Sequence, residues 1–449
     1  MRKLSLISLF LLIVSIPTFA GGLLTNTNQH AAFLRMLSRG ATTEIDGALS
    51  NPAGLAFLPN DGFHLALSVQ SAYQTRDIDA SFLTYNGLDA MGKPTATPFS
   101  KYYKGKASAP VIPSFFAAYK KGDWTVSGFF AITGGGGKAS FDDGLPMFAS
   151  AAMAGIFKGG LQGTPPQVVT PNMYTINSAM DGKQYIYSLQ LGVAYKINEW
   201  LSVFGGGRMN YFTGGYVGFL DAENLGGTNL MKLALDCDQT GWGLTPVLGL
   251  DAKLGKFNFG AKYEFKANLN IENKTNKLEY PASAEGLVGA YKHGVNTPND
   301  IPSMLSVAAA YEFLPVLRAS VEYHFFDDKK AGMAGDKQKF LTKGTNEYLA
   351  GIEWDVTKRL AVSCGGQITD YGLADNFQSD TSFYCDSYTL GVGAKFKLSE
   401  RAVLNAGYMW TTYEDYTKKS QNYNGTGLSG TNVYSRTNKV FGLSIDYRF

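Results

Sequence analysis

Apolar and polar side chains alternate with a period of two along most of the chain, and this pattern restricts the fold more than any other feature. Leu317, Ala319, Val321 and Tyr323, for example, alternate with charged or polar residues. Because successive side chains of a β-strand point to opposite faces, such segments predict strands with one apolar and one polar face. About fourteen segments show the pattern: 63–73, 111–120, 124–132, 184–197, 200–212, 241–252, 257–271, 302–313, 317–326, 346–356, 360–369, 387–398, 401–412 and 439–449.

The connections between these segments alternate between short and long. The short ones are turns of a few residues at 121–123, 198–199, 253–256, 314–316, 357–359 and 399–400. The long ones are polar or rich in glycine and cover 75–110, 133–183, 213–240, 272–301, 327–345, 370–386 and 413–438. Outer-membrane barrels have this organisation, with tight periplasmic turns and long external loops. We therefore predict an all-β fold, a transmembrane antiparallel β-barrel in the outer membrane of a Gram-negative cell.

The composition agrees with strands rather than with disorder or membrane-spanning helices. Hydrophobic residues make up 45% of the chain and aromatic residues 13%, which excludes disorder. Only 17% of the residues are charged, against about 25% in ordinary soluble proteins. No apolar run of about 18 residues follows the N-terminus, so a bundle of transmembrane helices is excluded as well.

The first twenty residues have the organisation of a secretory signal peptide. Arg2 and Lys3 precede an apolar run over residues 4–16, and residues 17–20 resemble a cleavage site that ends at Ala20. A membrane anchor is the alternative, but the run is short and contains serines. Removal of the two basic residues brings the formal net charge, +3 for the full chain, closer to zero, so we expect no nucleic-acid partner.

Ionisable side chains are confined almost entirely to one face of the predicted strands. An Arg or Lys that faces lipid at the bilayer midplane costs about 2–4 kcal/mol, so the charged face must line the lumen. Aromatic residues near strand ends, such as Trp124, Trp242 and Trp410, are placed for interfacial girdles. An ordinary half-buried soluble sheet is the alternative. The predicted lumen-facing charges are Arg208, Lys262, Glu264, Arg318, Glu322, Glu353 and Asp355.

The segment before the first strand is predicted to plug the barrel. Barrels of eight strands are filled by side chains and those of sixteen to eighteen enclose a channel, so about fourteen strands leave an intermediate pore or a space to be filled. Residues 21–61 can fill it, and they include a predicted helix over 28–39. Asn51 before Pro52 predicts a helical turn that Pro52 begins and the Asn51 side chain caps, with a plain turn as the alternative.

Asp46 and the sequence Asn51-Pro52-Ala53-Gly54-Leu55 resemble the hatch motif of the FadL long-chain fatty acid and toluene transporter family. The predicted signal peptide, N-terminal segment and strands extend the resemblance over the whole chain. It implies a monomer with a signal peptide at 1–20, a hatch at 21–61 that plugs the lumen, and a barrel at 62–449. It also implies passive uptake of hydrophobic small molecules, which bind in an external groove, pass to a pocket in the lumen and leave sideways beside a kinked third strand.

Two local features fit the mechanism that the resemblance implies. The third strand ends in Gly134, Gly135, Gly136 and Gly137, whose conformational freedom lets it bend inward and open a lateral gap; a flexible loop entrance is the alternative. The following loop contains an apolar stretch that is a candidate external groove, or else a loop packed against its neighbours. The residues of this candidate groove are Leu145, Met147, Phe148, Met153, Ile156 and Phe157.

Three of the lumen cations, Arg208, Lys262 and Arg318, are candidates for binding an anionic head group. They share the lumen with glutamates, so ion pairs that brace the wall are the favoured interpretation. The last strand ends in Tyr447 and Phe449, and it resembles the signal by which barrel-assembly machinery recognises outer-membrane proteins. The alternative is a plain terminal strand of a soluble barrel. Besides this machinery, we expect outer-membrane lipid and hydrophobic small molecules as partners.

The three cysteines, Cys237, Cys364 and Cys385, are too few and too scattered for a disulfide scaffold or a zinc site. Cys237 and Cys385 could pair, but free cysteines that behave as small hydrophobic residues are the favoured interpretation. We predict neither a metal nor another cofactor.

Other functions are compatible with a barrel of this size. A hydrolase is disfavoured because His64 and His324, the two histidines on predicted strands, point to the lumen and not to a rim. No serine, aspartate and histidine are predicted to cluster at neighbouring strand ends. We therefore predict that the chain is not an enzyme. A general diffusion porin or a surface adhesin is the stronger alternative. The ligand stays open, since fatty acids and aromatic hydrocarbons both suit an apolar passage.

Overall fold

A computed structural model describes residues 24–449, so the predicted signal peptide and residues 21–23 of the predicted hatch lie outside the described residues. This range contains four α-helices, α1 (Ala31–Arg35), α2 (Gly47–Ser50), α3 (Pro146–Gln162) and α4 (Glu285–Val288). None of the helices in residues 24–449 is long and apolar enough to span a membrane. Short 3₁₀ helices occupy Pro52–Phe57, Pro171–Met173, Ala282–Ala284, Gly289–Tyr291, Asp328–Lys330, Ala334–Phe340 and Tyr423–Gly425.

Eighteen strands follow one another along the described chain. They are β1 (Gly62–Leu88), β2 (Pro94–Tyr103), β3 (Gly105–Lys121), β4 (Trp124–Phe141), β5 (Tyr174–Lys196), β6 (Leu201–Asn224), β7 (Asn229–Leu254), β8 (Phe257–Glu264), β9 (Asn270–Glu279), β10 (Asn296–Pro298), β11 (Met304–Leu314), β12 (Leu317–Phe326), β13 (Thr345–Asp355), β14 (Leu360–Asp370), β15 (Ser387–Lys397), β16 (Ala402–Tyr413), β17 (Tyr416–Ser420) and β18 (Gly430–Arg448).

Fourteen of these strands form a closed antiparallel barrel. Each pairs with the next barrel strand along the chain, and the ring closes where β18 pairs with both β16 and β1. The other four strands lengthen hairpins at the end of the barrel that carries the long connections: β2 pairs with β1, β9 with β7 and β10, and β17 with β18. A closed ring leaves no barrel strand with an unpaired edge. The predicted all-β barrel of about fourteen strands is confirmed.

The predicted strand positions are confirmed, but several strands are longer than predicted. β1 has 27 residues and β7 has 26, whereas about 9–11 residues cross a bilayer at the usual tilt. These strands therefore extend into segments predicted to be loops. The prediction for 257–271 is wrong at its end, where the strand stops at Glu264. Beyond this end, Leu269 donates its N–H to the carboxylate of Asp300 (3.1 Å) instead of to a carbonyl oxygen of a neighbouring strand.

Apolar and charged side chains are divided between the outer and inner faces of the barrel as predicted. Leu67, Leu191 and Leu443 are exposed on the outer face, whereas Arg208 and Lys262 are buried on the inner face. Exposed apolar surface that runs around a whole molecule is unfavourable in water but not in a hydrocarbon environment. The outer surface of the barrel is therefore suited to lipid.

The N-terminal segment, residues 24–61, lies inside the barrel. Leu34 and Leu37 are fully buried, and they belong to a core cluster with side chains of β1, β3, β13, β16 and β18. The helix predicted over 28–39 is present only as the five residues of α1, because Met36 adopts an extended backbone conformation and ends it. Contacts with the wall, more than helical structure, determine the shape of this segment.

Candidate functional site in the plugged lumen

Side chains of the barrel wall donate hydrogen bonds to backbone carbonyl groups of the N-terminal segment. Lys262 Nζ donates to the carbonyl oxygen of Leu49 (2.7 Å), and Gln190 Nε2 donates to that of Ala48 (2.8 Å). A segment with little regular structure has many carbonyl groups that need a partner when they are buried. The polar inner face of the wall supplies these partners. Further donors of this kind are Ser114, Ser202, Asn258 and Ser320.

Glu353 of β13 is the centre of an ionic network between the segment and the wall. Its carboxylate accepts hydrogen bonds from Arg35 of α1, from Arg318 of β12 (2.7 Å) and from Lys395 of β15 (2.9 Å). The side chain of Arg35 is fully buried and that of Glu353 is 2% exposed. Because a buried charge is stable only when it is paired, this carboxylate stabilises the buried Arg35 and Lys395, while Arg318 also contacts Asp355.

A second ionic cluster fixes the loop between α1 and α2. Arg39 donates from Nε and Nη2 to the two carboxylate oxygens of Asp46 (2.7 and 2.8 Å), and Nη2 also donates to Glu44 (2.7 Å). Burial lowers the pKa of Arg39, but the charges of Asp46 and Glu44 outweigh burial and hold this pKa well above its usual value. Glu322 of the wall accepts hydrogen bonds from the backbone N–H groups of Arg39 and Gly40 (both 2.7 Å).

The turn predicted at Asn51 and Pro52 is present, but the predicted capping contact is wrong. Pro52 begins the 3₁₀ helix as expected, whereas the Asn51 side chain makes no capping hydrogen bond. Its Nδ2 donates instead to the carbonyl oxygen of Thr42 (3.0 Å) and to the carboxylate of Asp251 on β7. The amide group thus joins the segment to the wall through Nδ2, while its Oδ1, the atom that would accept a capping hydrogen bond, is buried without a partner among the described residues.

Close packing accounts for the two small residues of the same motif. Ala53 is buried, and its carbonyl oxygen accepts a hydrogen bond from Ser202 of β6 (2.8 Å). A Cβ atom at Gly54 would lie 2.4 Å from the carbonyl oxygen of Thr42, which is much closer than atoms in contact can approach. Gly54 therefore permits the turn to pack against the preceding loop.

The three cations predicted to bind an anionic head group are engaged in ion pairs. Arg208 makes a bidentate contact with Glu264 (2.7 and 2.8 Å), and Lys262 contacts the same carboxylate (2.8 Å). Arg318 contacts two carboxylates of β13. Their charges are therefore neutralised by the wall, which agrees with the favoured interpretation that they brace it.

A cavity lies between the N-terminal segment and the wall. Residues 25–29 form one side of it, and β18, β1, β3, β4 and β5 contribute to the other. Leu34, Ile112 and Val440 give it an apolar part, while amide and hydroxyl groups give it a polar part. Concave sites with apolar walls and a few polar groups are the usual form of small-molecule sites. The tyrosines in its lining are Tyr185, Tyr216, Tyr371, Tyr384 and Tyr413.

Arg76 of β1 and Arg436 of β18 lie opposite each other in the ladder and both line this cavity. Within residues 24–449, neither forms an ion pair with a carboxylate, and the buried Nε of each has no hydrogen-bond partner. Arg436 lies over the ring of Tyr413 (4.8 Å). The sequence analysis missed both arginines because the predicted strands, 63–73 and 439–449, stop short of them. Continuing the alternation outward would have placed both on the lumen face.

The ladder between β3 and β4 is interrupted where the glycine-rich kink was predicted. Ser114 pairs with Ala131, and pairing resumes only at Ser108 and Lys138. Gly135 and Gly137, together with Gly134, line the cavity at this point. The irregular stretch of wall therefore borders the cavity directly.

The apolar stretch predicted as an external groove belongs to α3 and its N-cap, and it is not exposed. The prediction of an open groove is wrong, and the alternative, a segment packed against its neighbours, is correct. The long strands extend past the membrane-spanning region and enclose α3, so its apolar face is covered by side chains such as Ile78, Phe82 and Leu220. The buried residues are Leu145 and Phe157, each 1% exposed, and Met147, Phe148, Met153 and Ile156.

All three cysteines are free, so the alternative of a disulfide between Cys237 and Cys385 is wrong. Both of these residues are buried and belong to the same apolar cluster as α3. Cys364 is exposed on the outer face of β14. The favoured interpretation of free cysteines is confirmed.

The environment of Glu44 determines how its contribution to the stability of the N-terminal segment depends on pH. Its carboxylate contacts Lys395 (3.0 Å) and Arg39 (2.7 Å). Burial raises the pKa of Glu44, but the charges of Lys395 and Arg39 outweigh burial and hold the pKa well below 4.5. A carboxylate whose folded pKa is lowered stabilises the fold above its unfolded pKa, and this stabilisation is lost as the pH falls through the folded pKa.

We therefore expect Glu44→Gln to lower the thermal unfolding midpoint at pH 7 and to leave it unchanged under strongly acidic conditions, where Glu44 is protonated in both states. Circular dichroism of the purified barrel between pH 7 and pH 2 measures this. Glu400→Gln, at an exposed turn residue, is the matched control and should have no effect at either pH. An equal loss at both ends of the pH range would contradict the assignment.

Comparison with solved structures identifies chains with the same fold. A FadL homologue from Pseudomonas aeruginosa superposes with a TM-score of 0.63 at 15% identity, over 97% of this chain and 99% of that chain. The Pseudomonas putida toluene transporter TodX gives 0.54 at 13% identity, over 91% and 95%. The Ralstonia pickettii toluene transporter TbuX gives 0.53 at 13% identity, over 97% and 99%. No family model and no curated protein matches the sequence. The fold expected from the resemblance is confirmed.

Proposed function

We propose that the protein is an outer-membrane transporter that admits hydrophobic small molecules passively. The observation that carries the proposal is the partly apolar cavity between the N-terminal segment and the wall of a closed barrel with an apolar outer face. A site inside such a barrel is open to ligands that cross the membrane rather than to a soluble substrate. Structures with the same fold carry the names of a FadL homologue and of toluene transporters, which supports transport and not catalysis.

In this proposal the chain works as a monomer in the outer membrane of a Gram-negative cell, and residues 21–61 are its hatch. The described part of the hatch is held by the Glu353 network and by wall side chains that donate to its carbonyl groups. These contacts keep the lumen closed to ions. The ligand occupies the cavity that the hatch leaves free.

We further propose that the ligand leaves sideways through the wall, at the interruption between β3 and β4. Residues 109–113 and 132–137 do not pair with each other there, although the ladder is regular on both sides. Ile112 and Ile132 bring apolar side chains from these stretches to the cavity. An apolar ligand can therefore reach the lipid without crossing the polar interior of the plug.

Uptake and conductance together test the proposed function. Cells that express the chain should take up [¹⁴C]palmitate or [¹⁴C]toluene faster than cells with an empty vector, and the purified protein should conduct almost no ions in planar bilayers. A large steady conductance would instead identify a general diffusion porin. Unchanged uptake of both probes, with surface binding that is lost when the external loops are trimmed, would identify an adhesin.

The C-terminal residue is expected to act in assembly and not in folding. Phe449 donates its N–H to the carbonyl oxygen of Phe63 (3.0 Å), but its ring is 63% exposed on the outer face. Deletion of Phe449 therefore removes little packing, and we expect refolding into detergent micelles to be unaffected. In cells, we expect several-fold less barrel in the outer membrane, measured by heat-modifiable mobility in gels. Phe449→Tyr should assemble normally, and undiminished assembly of the deletion variant would contradict a role in recognition by the barrel-assembly machinery.

A further inference from the structure

The ladder between β1 and β18 presents three successive pairs of side chains to the cavity. Neighbouring pairs on one face of a strand are separated by two residues, or about 7 Å. The surface therefore changes from cationic to amide to apolar over about 13 Å. In order from the end with the long connections, the pairs are Arg76–Arg436, Gln74–Asn438 and Ala72–Val440.

The cationic pair is unfavourable in the unliganded protein. Like charges directly opposite each other in a ladder destabilise it, and no carboxylate of the described chain pairs with Arg76 or Arg436. The other arginines of the wall that face the lumen differ, since Arg208 and Arg318 both have carboxylate partners. An anion between the two guanidinium groups would offset the repulsion and occupy the free Nε donors.

The amide pair also lacks partners. The side-chain oxygens of Gln74 and Asn438 are buried, and neither accepts a hydrogen bond. Leaving a buried polar atom unsatisfied costs free energy, which a ligand group with an O–H or N–H would recover. A hydroxyl group is suited to this position because it donates and accepts, so it satisfies a carboxamide whichever of its two atoms faces the cavity.

Beyond the amide pair, the next pair of the ladder and several side chains around it are apolar. Ala72 and Val440 form the third pair, and Leu34, Ile112 and Met409 lie around them. Leu34, Ala72, Val440 and Met409 belong to one buried cluster, with Ile112 packed against it. An alkyl chain or a ring fits this end of the cavity, whereas a charged group does not.

We propose that the ligand of this site is a hydroxylated carboxylic acid with an apolar body. Its carboxylate lies between Arg76 and Arg436, its hydroxyl group contacts Gln74 and Asn438, and its apolar body lies against Val440 and its neighbours. Arg436 already donates from Nη1 to the carbonyl oxygen of Phe383 (3.4 Å), but a neutral hydrocarbon would leave the repulsion between the two arginines uncompensated and both amide oxygens without a donor. An unsubstituted fatty acid would leave the amide oxygens without a donor. This inference rests on the proposed uptake function and narrows its substrate class.

Calorimetric titration of the purified full-length barrel in a non-ionic detergent tests the inference with three probes of equal chain length. These are 3-hydroxydodecanoate, dodecanoate and dodecan-1-ol. We expect the hydroxy acid to bind roughly tenfold more tightly than dodecanoate, and the alcohol to bind most weakly. In the Arg76→Gln/Arg436→Gln variant both acids should lose about 100-fold in affinity and the alcohol should be unaffected. Gln74→Met should abolish the difference between the two acids.

Two controls separate binding from folding. Arg359→Gln removes a guanidinium group from an exposed turn at the opposite end of the barrel and should leave all three affinities unchanged. The thermal midpoint of the unliganded Arg436→Gln variant should rise, because the repulsion with Arg76 is relieved; a purely structural arginine would lower it. Equal affinities of wild type and double variant for the acids would overturn the inference and leave the uptake function standing. Equal binding of the two acids by the wild type would overturn the role of the amide pair, and binding of none of the probes would overturn the uptake function as well.

Discussion

Replacement of Glu353 by glutamine is expected to destabilise the protein by about 3–5 kcal/mol and to loosen the N-terminal segment, because it leaves the buried Arg35 and Lys395 without their shared carboxylate. Arg35 is the most affected, since its side chain is fully buried and its remaining hydrogen-bond partners, Ser363 and Asn405, are neutral. Its other ion-pair partner, Glu44, is 3.9 Å away. Lys395 retains only Glu44. A glutamine amide oxygen can still accept hydrogen bonds from these donors, but it carries no charge. Urea or thermal unfolding of the purified barrel measures the loss of stability.

The same substitution is expected to raise ion conductance. Arg35 belongs to α1, so its release from the wall frees the segment that occupies the lumen, and planar-bilayer recordings should show openings that the wild type lacks. Glu312→Gln, at an exposed glutamate of β11, is the matched control and should change neither stability nor conductance. A Glu353→Gln variant of wild-type stability with a silent bilayer would show that the network does not hold the hatch.

The barrel could be predicted from the sequence because its strands are bordered by two different solvents. Lipid favours apolar side chains on one face and the polar lumen favours charged ones on the other. Apolar and polar residues therefore alternate with a period of two in almost every strand. The lengths of β1 and β18 could not be predicted in the same way. Beyond the membrane the outer face is in water, and Asp77, Asp79 and Lys439 no longer contrast with the inner face. This is why Arg76 and Arg436 were missed.

The candidate site could be predicted only in part because its contacts join distant parts of the chain. Asp46 and Asn51 stand out in the sequence, but the partner of Asn51 on the wall, Asp251, is 200 residues away. A local rule therefore predicted a cap that the tertiary structure replaces. Burial of α3 depends in the same way on strands whose length was underestimated, so its apolar residues were wrongly expected to form an open groove.

Replacement of both Gly135 and Gly137 by alanine is expected to slow uptake about tenfold or more while the barrel stays folded. Their φ angles are 106° and 72°, a region in which a residue with a Cβ is strained by about 1–3 kcal/mol. A Cβ at Gly135 would also lie 2.2 Å from the carbonyl oxygen of Gln184, and one at Gly137 would lie 2.3 Å from that of Ser108. The backbone must move to relieve these contacts. A change of about 1.4 kcal/mol in the free-energy difference between the open and closed forms of the gap already changes their population ratio tenfold.

The movement that relieves the strain is the one that closes the gap. Pro110 and Pro113 have no N–H to donate, but in an extended conformation residues 132–137 can donate to carbonyl groups of residues 109–113, which narrows the interruption. We expect the initial rates of [¹⁴C]palmitate and [¹⁴C]toluene uptake to fall together, because both probes would use the same exit. Gly205→Ala on β6 is the matched control, since its Cβ meets no atom within 4 Å.

The two substitutions should have opposite signatures, which separates the hatch from the exit. The Glu353→Gln variant leaks ions, whereas the glycine variant stays folded and electrically silent in bilayers but loses uptake. If the ligand instead passed along the hatch to the far side of the lumen, closing the gap in the wall would leave uptake unchanged. Wild-type uptake by the Gly135→Ala/Gly137→Ala variant, with its kink removed, would therefore rule out lateral release.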